Sequence, residues 1–414
     1  MIGRRTLLGA AVAAPFVARA QGAARVVVVG GGFGGGTCAR ALRAARPDLD
    51  VTLVEAGSDY FACPLSNEVV AGLRDMEAQH FLYGKLGEAV RLVRGEAVAV
   101  DPAARRVTLA DGAVLPYDRL VLSPGVDLRF DALPGYTEAA VGRMPHAWKA
   151  GPQTLLLRDQ LRAMPDGGVV VMTVPDNPYR CPPGPYERAS LIAYYLKTQK
   201  PRSKLIVLDA KDVFSKQKLF QQAWAKLYPG ILQWVSLSDG GHAISVDPAG
   251  MTVQTDFETY KAAVANVIPP QRAGRIAAAA GVADRSGWCP VDPVTFESRL
   301  VPGIHVIGDS AIMGAMPKSA FAANAQAKVC AEAVLALLDG APPQEPRLIN
   351  TCYSLVAPEY GISVAGVYRP TGGQLTDIEG AGGASPLDAS PAERAQEAQY
   401  ADAWFQTTTR QVFG

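Results

Sequence analysis

The feature that most constrains the fold is a glycine-rich turn near the start of the chain. An apolar run, Arg25–Val29, precedes the pattern Gly30-x-Gly32-x-x-Gly35, and small residues follow it. Gly30 permits the tight turn, Gly32 lets the backbone approach a pyrophosphate, and Gly35 lets helix and strand pack closely. A second apolar run ends about twenty residues later at Glu55, where a carboxylate can bind ribose hydroxyls. The pattern predicts a βαβ unit that binds a dinucleotide.

Two later segments indicate which dinucleotide this unit binds. Residues 117–125, "YDRLVLSPG", are typical of the strand and turn by which a chain leaves the flavin domain of two-dinucleotide flavoproteins. Residues 303–309, "GIHVIGD", are similar to the second FAD motif of such proteins, whose aspartate, here Asp309, binds the ribityl chain. Asp309 could also serve as a helix N-cap. The three segments together favour FAD over NAD.

A second βαβ pattern follows, but its turn lacks glycines. A strand over residues 167–175, a helix near 186–197 and a strand over 204–209 are predicted. The connecting turn, "DNPYRCPPGPYE", carries prolines where a pyrophosphate would have to meet backbone N–H groups, and proline has none. We therefore predict a Rossmann-like domain that does not bind NAD.

These patterns divide the chain into four parts. We predict a signal at 1–20, an FAD domain in two pieces (21–140 and 262–340), an inserted Rossmann-like domain (141–261) and a C-terminal domain (341–414). The fold class is α/β, with two Rossmann-like dinucleotide-binding domains of the glutathione-reductase type and a C-terminal α+β interface domain. Residues 365–390 are rich in glycine, serine and aspartate and are predicted to be a surface excursion. A final helix is expected near 391–409, with aromatic residues that suit a core or an interface better than a flavin shield.

The N-terminus indicates export. Arg4 and Arg5 precede a short apolar run and an A-x-A site, which is typical of a secretion signal, and the paired arginines favour the twin-arginine pathway into the periplasm. An ordinary secretion signal or a first helix is the alternative. Because forty basic residues nearly balance thirty-nine acidic ones, the charge gives no indication of nucleic-acid binding. The six cysteines include no CxxC or CxxCH motif for zinc or haem.

Several long segments resemble one family. They are "FACPLSNEV", "PHAWKAG", "YRCPPGPYERAS", "GWCPVD" and "NTCYSLVAPEYGISVAGVYRP". Together they closely resemble the flavoprotein subunit of flavocytochrome c sulfide dehydrogenase, and the resemblance covers essentially the whole mature chain.

The resemblance implies roles for three cysteines. Cys63 matches the cysteine through which this family binds the 8α-methyl of FAD covalently. Cys181 and Cys352 match the redox-active disulfide that lies over the flavin and receives sulfide. We expect Cys352 to be the sulfur on the flavin side and Cys181 to carry the persulfide. Without the resemblance, a purely structural disulfide is the alternative, and Cys181, in the turn before a helix, is expected to have a stabilised thiolate.

Two charged residues are further candidates. Glu187 resembles an acid near the site in this family and could take a proton from hydrogen sulfide. A solvated glutamate in the first turn of a helix is the alternative. Lys318 could support the anionic reduced flavin at its pyrimidine end, with a surface lysine as the alternative.

The resemblance also implies an electron acceptor. We expect sulfide oxidation with a c-type cytochrome subunit as the partner that carries the haem, and no stable membrane anchor, because the tail shows no basic amphipathic stripe. The alternatives are a sulfide:quinone oxidoreductase, and a flavoprotein with a structural disulfide that supports another sulfur-oxidising system.

Overall fold

The structure, a computed structural model, describes residues 23–414, and the predicted signal at 1–20 lies outside the described residues. A parallel five-stranded sheet forms the core of the first domain, and its strands lie in the order β20 (Ile304–Val306), β9 (Arg119–Leu122), β1 (Arg25–Val29), β2 (Asp50–Glu55) and β5 (Arg91–Arg94). The valines of β1 are almost fully buried, as expected for a parallel sheet covered on both faces. The elements before the second domain are β1 (Arg25–Val29), α1 (Phe33–Ala45), β2 (Asp50–Glu55), β3 (Asp59–Phe61), α2 (Ser66–Ala71), β4 (His80–Leu82), α3 (Gly84–Ala89), β5 (Arg91–Arg94), β6 (Ala97–Asp101), β7 (Arg106–Leu109), β8 (Val114–Pro116), β9 (Arg119–Leu122) and β10 (Val126–Leu128).

The inserted domain has its own parallel sheet, in the order β13-β12-β11-β17. Its last strand completes an edge of this sheet, because Val264–Val267 pairs with β11 in parallel. The domain therefore ends after residue 267, a few residues later than the predicted boundary at 261. Its elements are α4 (Pro152–Ala163), β11 (Val169–Val174), α5 (Gly184–Gln199), β12 (Lys204–Asp209), α6 (Gln217–Leu227), β13 (Leu232–Val235), β14 (Ala243–Asp247), β15 (Thr252–Thr255), β16 (Thr259–Lys261) and β17 (Val264–Val267).

The chain then returns to the first domain. Strand β20 lies parallel to β9, and α8 packs against α1, so the first domain is built from two pieces, as the sequence predicts. Among residues 23–414, α8 is the one helix that is long and apolar enough to cross a membrane by length and composition, and half of that stretch is buried inside the protein. The elements of this piece are β18 (Gln271–Ala273), α7 (Ile276–Ala279), β19 (Cys289–Pro290), β20 (Ile304–Val306), β21 (Ala311–Ile312) and α8 (Ala320–Leu338).

The C-terminal domain is an antiparallel sheet covered by one long helix. The predicted surface excursion at 365–390 is mostly exposed from residue 371 onwards, but it contains the end of strand β23 and two further strands. Gly366 stands inside β23 because a Cβ there would collide with the hydroxyl of Tyr368. The elements are β22 (Leu348–Ala357), β23 (Tyr360–Thr371), β24 (Gln374–Asp377), β25 (Gly383–Ala384) and α9 (Pro391–Phe413).

Helix α9 returns the end of the chain to the first domain. It begins with a capping box in which Ser390 and Glu393 bond each other's backbone N–H groups, and it ends four residues beyond the predicted 409. The Phe413 ring stacks on Tyr60 and Phe81, with ring centroids 5.1 and 5.0 Å apart. The aromatic residues of the tail thus pack on the dinucleotide-binding domain.

Candidate functional site

One cavity, of about 580 Å³, collects most of the predicted site residues, and we call it the nucleotide cavity. It lies at the carboxyl ends of β1, β2 and β9, where ligands bind in open α/β sheets. The predicted residues that line it are Gly30, Gly32, Glu55, Cys63, Cys181, Glu187, Asp309 and Cys352. Gly35 and Lys318 lie outside its wall.

The glycine turn forms a close-packed floor for this cavity. Gly30 has a φ of +98°, and a Cβ on it would collide with the carbonyl oxygen of Ser123. A Cβ on Gly35 would collide with the carbonyl oxygen of Gly30, so this glycine serves the strand–helix contact, as predicted. No side chain caps the N-terminus of α1, which leaves its N–H groups available to an anion.

Glu55 is held in position by the same turn. Its Oε2 accepts a hydrogen bond from the N–H of Gly31 at 2.6 Å, and its Oε1 accepts one from the N–H of Gly57 at 2.9 Å. The carboxylate lines the nucleotide cavity and retains acceptor capacity for ribose hydroxyls.

Asp309 provides a test of whether the cavity suits FAD. Its Oδ1 is buried and has no hydrogen-bond partner among the described residues, and burial raises the pKa of this carboxyl. Such an atom is costly unless a ligand satisfies it. The alternative role as a helix N-cap is wrong, because Ser319 caps α8 by accepting a hydrogen bond from the N–H of Ala322. Asp309 therefore fits a polyol chain such as the ribityl group.

Cys63 also lines the cavity, from the loop between β3 and α2. Leu65 takes a φ of +65° just after it, which turns the chain into α2. The Cys63 Sγ lies 3.8 Å from the carbonyl oxygen of Trp148, which also accepts a hydrogen bond from the guanidinium of Arg180. The thiol is partly exposed and lines the cavity, so a covalent bond to a flavin stays a prediction that this position permits.

Cys181 and Cys352 are brought together from two different domains. Cys181 has a φ of +58° before the Pro182-Pro183 turn, and its N–H donates to the carbonyl oxygen of Lys318 at 2.8 Å. Both sulfurs are free thiols in the structure, and both residues line the nucleotide cavity. Burial raises the pKa of the Cys181 thiol, with Cys352 the next cause. Burial therefore acts against a thiolate at Cys181, and its stabilisation by the helix stays a prediction.

Glu187 is buried beside these cysteines. It is 8% exposed, which rules out the solvated glutamate that was the alternative. Its Oε2 accepts a hydrogen bond from Asn67 Nδ2 at 2.8 Å, and its Oε1 accepts one from the N–H of Leu355 at 2.9 Å. Burial raises the pKa of the carboxyl, although these hydrogen bonds and the nearby Lys216 oppose the shift.

Arg188 completes this network and also lines the nucleotide cavity. Its guanidinium donates to Asn67 Oδ1 at 2.9 Å, to the carbonyl oxygen of His146 at 3.0 Å and to Asn266 Oδ1 at 3.2 Å. Because Asn67 follows Cys63 in the same segment, the network fixes the Cys63 loop relative to helix α5.

Sequence reasoning missed two residues that contact Cys352. Lys216, at a φ of +63° before α6, donates from Nζ to the carbonyl oxygen of Cys352 at 2.9 Å and to Ser354 Oγ at 2.7 Å. Burial lowers the pKa of this lysine to about 8. Asn350 donates from Nδ2 to the Cys352 Sγ at 3.3 Å. Only the polar alternation of β22, in "NTCYS", could have indicated Asn350, and Lys216 reaches the site from a turn far away in sequence.

Lys318 lies beside Asp309, outside the wall of the nucleotide cavity. It is partly buried rather than a surface lysine, and burial lowers its pKa to about 8. Its ammonium donates to the carbonyl oxygens of Asp309 and Ala311 at 2.8 and 2.7 Å and lies 4.0 Å from the ring centroid of Trp288. Support of a reduced flavin by this charge stays a prediction.

The remaining cysteines are core residues. Cys38, Cys289 and Cys330 are fully buried. Within residues 23–414, no group of three or more His, Cys, Asp or Glu side chains is arranged to hold a metal ion.

The second Rossmann-like unit is filled by its own side chains. Asp209 ends β12, at the position corresponding to Glu55 in the first unit, but it is fully buried. Its carboxylate accepts hydrogen bonds from Tyr186, Trp234 and Lys211. A dinucleotide ribose would have to displace these three groups.

Comparison with known families assigns three successive regions. Residues 24–151 match the pyridine nucleotide-disulphide oxidoreductase family. Residues 154–269 match the central region of the sulfide dehydrogenase (flavocytochrome c) flavoprotein chain, and residues 344–413 match the flavin-binding domain of flavocytochrome c sulphide dehydrogenase.

Individual relatives agree with this assignment. The sulfide dehydrogenase (flavocytochrome c) flavoprotein chain of Chlorobaculum thiosulfatiphilum is 54% identical over 48 residues, which cover 12% of this chain and all of that sequence. The mitochondrial sulfide:quinone oxidoreductase of Mus musculus is 23% identical over 306 residues, or 69% of this chain and 65% of that protein. The sulfide-quinone reductase of Aquifex aeolicus is 31% identical over 187 residues, which cover 44% of this chain and 42% of that protein. Apart from the Chlorobaculum sequence, these matches span less than two thirds of the relatives' own length.

Solved structures agree on the fold. The sulfide:quinone oxidoreductase of Aquifex aeolicus superposes with a TM-score of 0.73 at 18% identity, covering 94% of this chain and 92% of that one. Putidaredoxin reductase, in its covalent complex with putidaredoxin, superposes with a TM-score of 0.66 over 91% of this chain and 93% of that one. The α/β fold with two Rossmann-like domains is thereby confirmed, and the chain belongs to the family of flavoprotein chains of flavocytochrome c sulfide dehydrogenase.

Proposed function

We propose that this chain is an FAD-dependent oxidoreductase that oxidises hydrosulfide at a Cys181–Cys352 disulfide. The observation that carries the proposal is the meeting of these two cysteines in the wall of the nucleotide cavity, although they come from two domains. Burial is the largest influence that raises the pKa of the Cys181 thiol, and the proximity of Cys352 is the next, which agrees with two sulfurs that lie close together.

The proposal assigns roles to several residues of the cavity and its surroundings. The uncapped N-terminus of α1 would bind the pyrophosphate, Glu55 a ribose and Asp309 the ribityl chain, and Cys63 would hold the flavin covalently. FAD, when bound, supplies an acceptor that takes two electrons from the sulfurs and releases them one at a time. Because Glu187 is buried next to both cysteines, it can exchange the proton of hydrogen sulfide, and the ammonium of Lys216 favours anionic sulfur at Cys352.

The proposed electron acceptor is a c-type cytochrome subunit that carries the haem, outside the cytoplasm. Three features support it: family membership, the filled second Rossmann unit around Asp209, and the absence of any CxxCH motif in the chain. Export by the twin-arginine signal at 1–20 belongs to the same proposal, as does the absence of a stable membrane anchor.

The test is an anaerobic titration of the purified flavoprotein with sulfide. We expect stoichiometric loss of flavin absorbance, followed by reduction of added cytochrome c. Reoxidation by a quinone but not by the cytochrome would favour sulfide:quinone oxidoreductase activity. Unchanged absorbance would contradict both activities and leave a structural role for the disulfide. Cys181→Ser and Cys352→Ser are expected to lose the reaction with sulfide, while direct reduction of their flavin by dithionite is retained.

A further inference from the structure

Two tyrosine rings pack directly on the glycine turn of the first domain. A Cβ built on Gly31 would lie 2.7 Å from the Tyr83 ring, and a Cβ built on Gly32 would lie 3.3 Å from the Tyr60 ring. Gly32 is the residue that immediately precedes α1, and both tyrosines line the nucleotide cavity. The part of the cavity where the backbone of the turn can approach a pyrophosphate therefore has an aromatic wall.

Tyr60 presents its hydroxyl end to this turn. Its Oη lies 3.4 Å from the Cβ built on Gly32, about as close as the nearest ring carbon. The hydroxyl forms no hydrogen bond with another group of residues 23–414, and burial raises the pKa of Tyr60, in keeping with a hydroxyl that is shielded from water. Such a hydroxyl is costly unless a ligand supplies a partner. An anionic oxygen bound next to Gly32 would be within its reach.

The ring of Tyr60 is held by two phenylalanines. Phe413, in the last turn of α9, stacks on it with ring centroids 5.1 Å apart and ring planes 28° apart. Phe33, the first residue of α1, meets the edges of both rings, at 5.9 Å from Tyr60 and 6.2 Å from Phe413. Stacked and edge-to-face contacts are the arrangements that aromatic pairs prefer. The position of the Tyr60 hydroxyl therefore depends on Phe413.

The end of α9 is itself anchored on α1. Val412 is fully buried, and a Cβ built on Gly36 would lie 2.8 Å from its Cγ1, so glycine at position 36 makes room for this contact. The guanidinium of Arg40 donates to the carbonyl oxygen of Val412 at 3.4 Å. On its other neighbour, Phe81, the Phe413 ring stacks with centroids 5.0 Å apart. These contacts give Phe413 a defined position from which it can support Tyr60.

We infer that the Tyr60 hydroxyl binds the pyrophosphate of FAD and that Phe413 is the residue that positions it. This inference rests on the proposed function, in which the N-terminus of α1 binds that pyrophosphate. Tyr60 Oη donates a hydrogen bond to a phosphate oxygen, and a bond of this kind to an anion is stronger than one between neutral groups. Phe413 does not line the nucleotide cavity and acts only through the Tyr60 ring. The C-terminal domain thereby contributes to the phosphate site of the first domain.

The affinity for FAD tests the role of Tyr60. All proteins in this experiment carry Cys63→Ala, so that no covalent bond masks release of the flavin, and free flavin is followed by fluorescence after dilution. Tyr60→Phe keeps the ring and removes only the hydroxyl, and we expect about ten- to hundredfold weaker FAD binding. Tyr117→Phe is the matched control, because its buried hydroxyl also has no partner among the described residues but does not line the nucleotide cavity.

Phosphorus NMR of the holoprotein, with Cys63 intact, gives a second measurement at the phosphates themselves. Loss of a hydrogen bond to a phosphate oxygen changes the shielding of its phosphorus, so we expect a shifted FAD resonance in Tyr60→Phe but not in Tyr117→Phe. Unchanged resonances and wild-type affinity in Tyr60→Phe would overturn the inference, and bleaching of the flavin by sulfide in that protein would show that the proposed function still stands. A protein that binds no FAD would refute both.

A double-mutant cycle tests the positioning role of Phe413. In the Cys63→Ala protein, Phe413→Ala should weaken FAD binding at least about fivefold, but less than about twofold further when Tyr60→Phe has already removed the hydroxyl. Phe296→Ala, which removes another fully buried ring that does not line the nucleotide cavity, controls for a general loss of packing and should leave FAD binding unchanged. If the effects of Phe413→Ala and Tyr60→Phe are simply additive, Phe413 acts independently of the hydroxyl and its positioning role is overturned.

Discussion

The Nδ2 of Asn67 donates to Glu187 Oε2 at 2.8 Å, and this hydrogen bond joins the segment that carries Cys63 to the helix that follows Cys181. The Oδ1 of the same amide accepts a hydrogen bond from Arg188. One buried asparagine thus orients an acid and a cation that belong to another domain, and it couples the two sides of the nucleotide cavity.

Replacement of this asparagine should destabilise the protein. Asn67→Ala leaves Glu187 and Arg188 each without one buried hydrogen bond, so we expect a loss of at least about 2 kcal/mol in the free energy of unfolding. Chemical denaturation followed by tryptophan fluorescence measures this loss. Gln374→Ala, on an exposed strand, is the control and should change stability little. Equal stability of Asn67→Ala and the wild type would show that the network contributes nothing.

The second prediction concerns the bond between Cys63 and the flavin. Cys63 lies in the cavity wall with its thiol partly exposed, so acid-denatured wild-type protein should retain its flavin on the polypeptide, whereas Cys63→Ala should release all of it. Gel fluorescence after denaturation reads the result. Cys38→Ala, which removes a buried thiol on α1, is the control and should retain the flavin. Release of flavin from the wild type would contradict the covalent link.

The third prediction is a pH dependence that originates in Lys216. Burial lowers its pKa to about 8, so the ammonium is present below about pH 8 and is lost as the pH rises through that value. The charge favours anionic sulfur near Cys352, and we expect the wild type to reduce its flavin with sulfide roughly tenfold faster than Lys216→Met at pH 6 to 7. The ratio should approach one above about pH 9, because both proteins are then neutral at this position.

The ratio of the two proteins is the quantity to measure, since the ionisation of hydrogen sulfide itself affects both equally. Stopped-flow absorbance at several pH values provides it. Lys218→Met, an exposed lysine on the same helix, is the control and should follow the wild type at every pH. A ratio that does not change with pH would exclude Lys216 as the titrating group.

The first dinucleotide unit could be predicted from the sequence because its determinants are local. Gly30, Gly32, Gly35 and Glu55 act within one βαβ unit, and close contact with neighbouring backbone requires glycine at positions 30 and 35. The boundary predicted at residue 261 falls short of β17, because the pairing of this short buried strand with β11 depends on a partner far away in sequence.

The surroundings of the cysteines could be predicted only in part. Lys216 contacts Cys352 from a turn in another domain, which no local pattern encodes, whereas Asn350 lies two residues from Cys352 on the same strand. For Glu187 and Lys318, the choice between a site residue and a solvated surface residue depends on the burial of the side chain. The sequence does not reveal that burial for a glutamate in the first turn of a helix or for a lysine in a loop. The polar residues of β22 are visible in the sequence, but their proximity to Cys181 depends on how two domains pack together.

The last prediction tests how closely Cys181 is fitted into its turn. A Cβ on Gly184 would lie 2.9 Å from the Trp148 ring and 3.0 Å from the Cys181 Sγ, so Gly184→Ala must move one of them. We expect a loss of about 1–3 kcal/mol in stability and at least about tenfold slower flavin reduction by sulfide. Gly142→Ala is the matched control, because its Cβ meets nothing within 4 Å. If Gly184→Ala is destabilised but reacts with sulfide at the wild-type rate, the ring of Trp148 has moved and the position of Cys181 is not critical for the reaction.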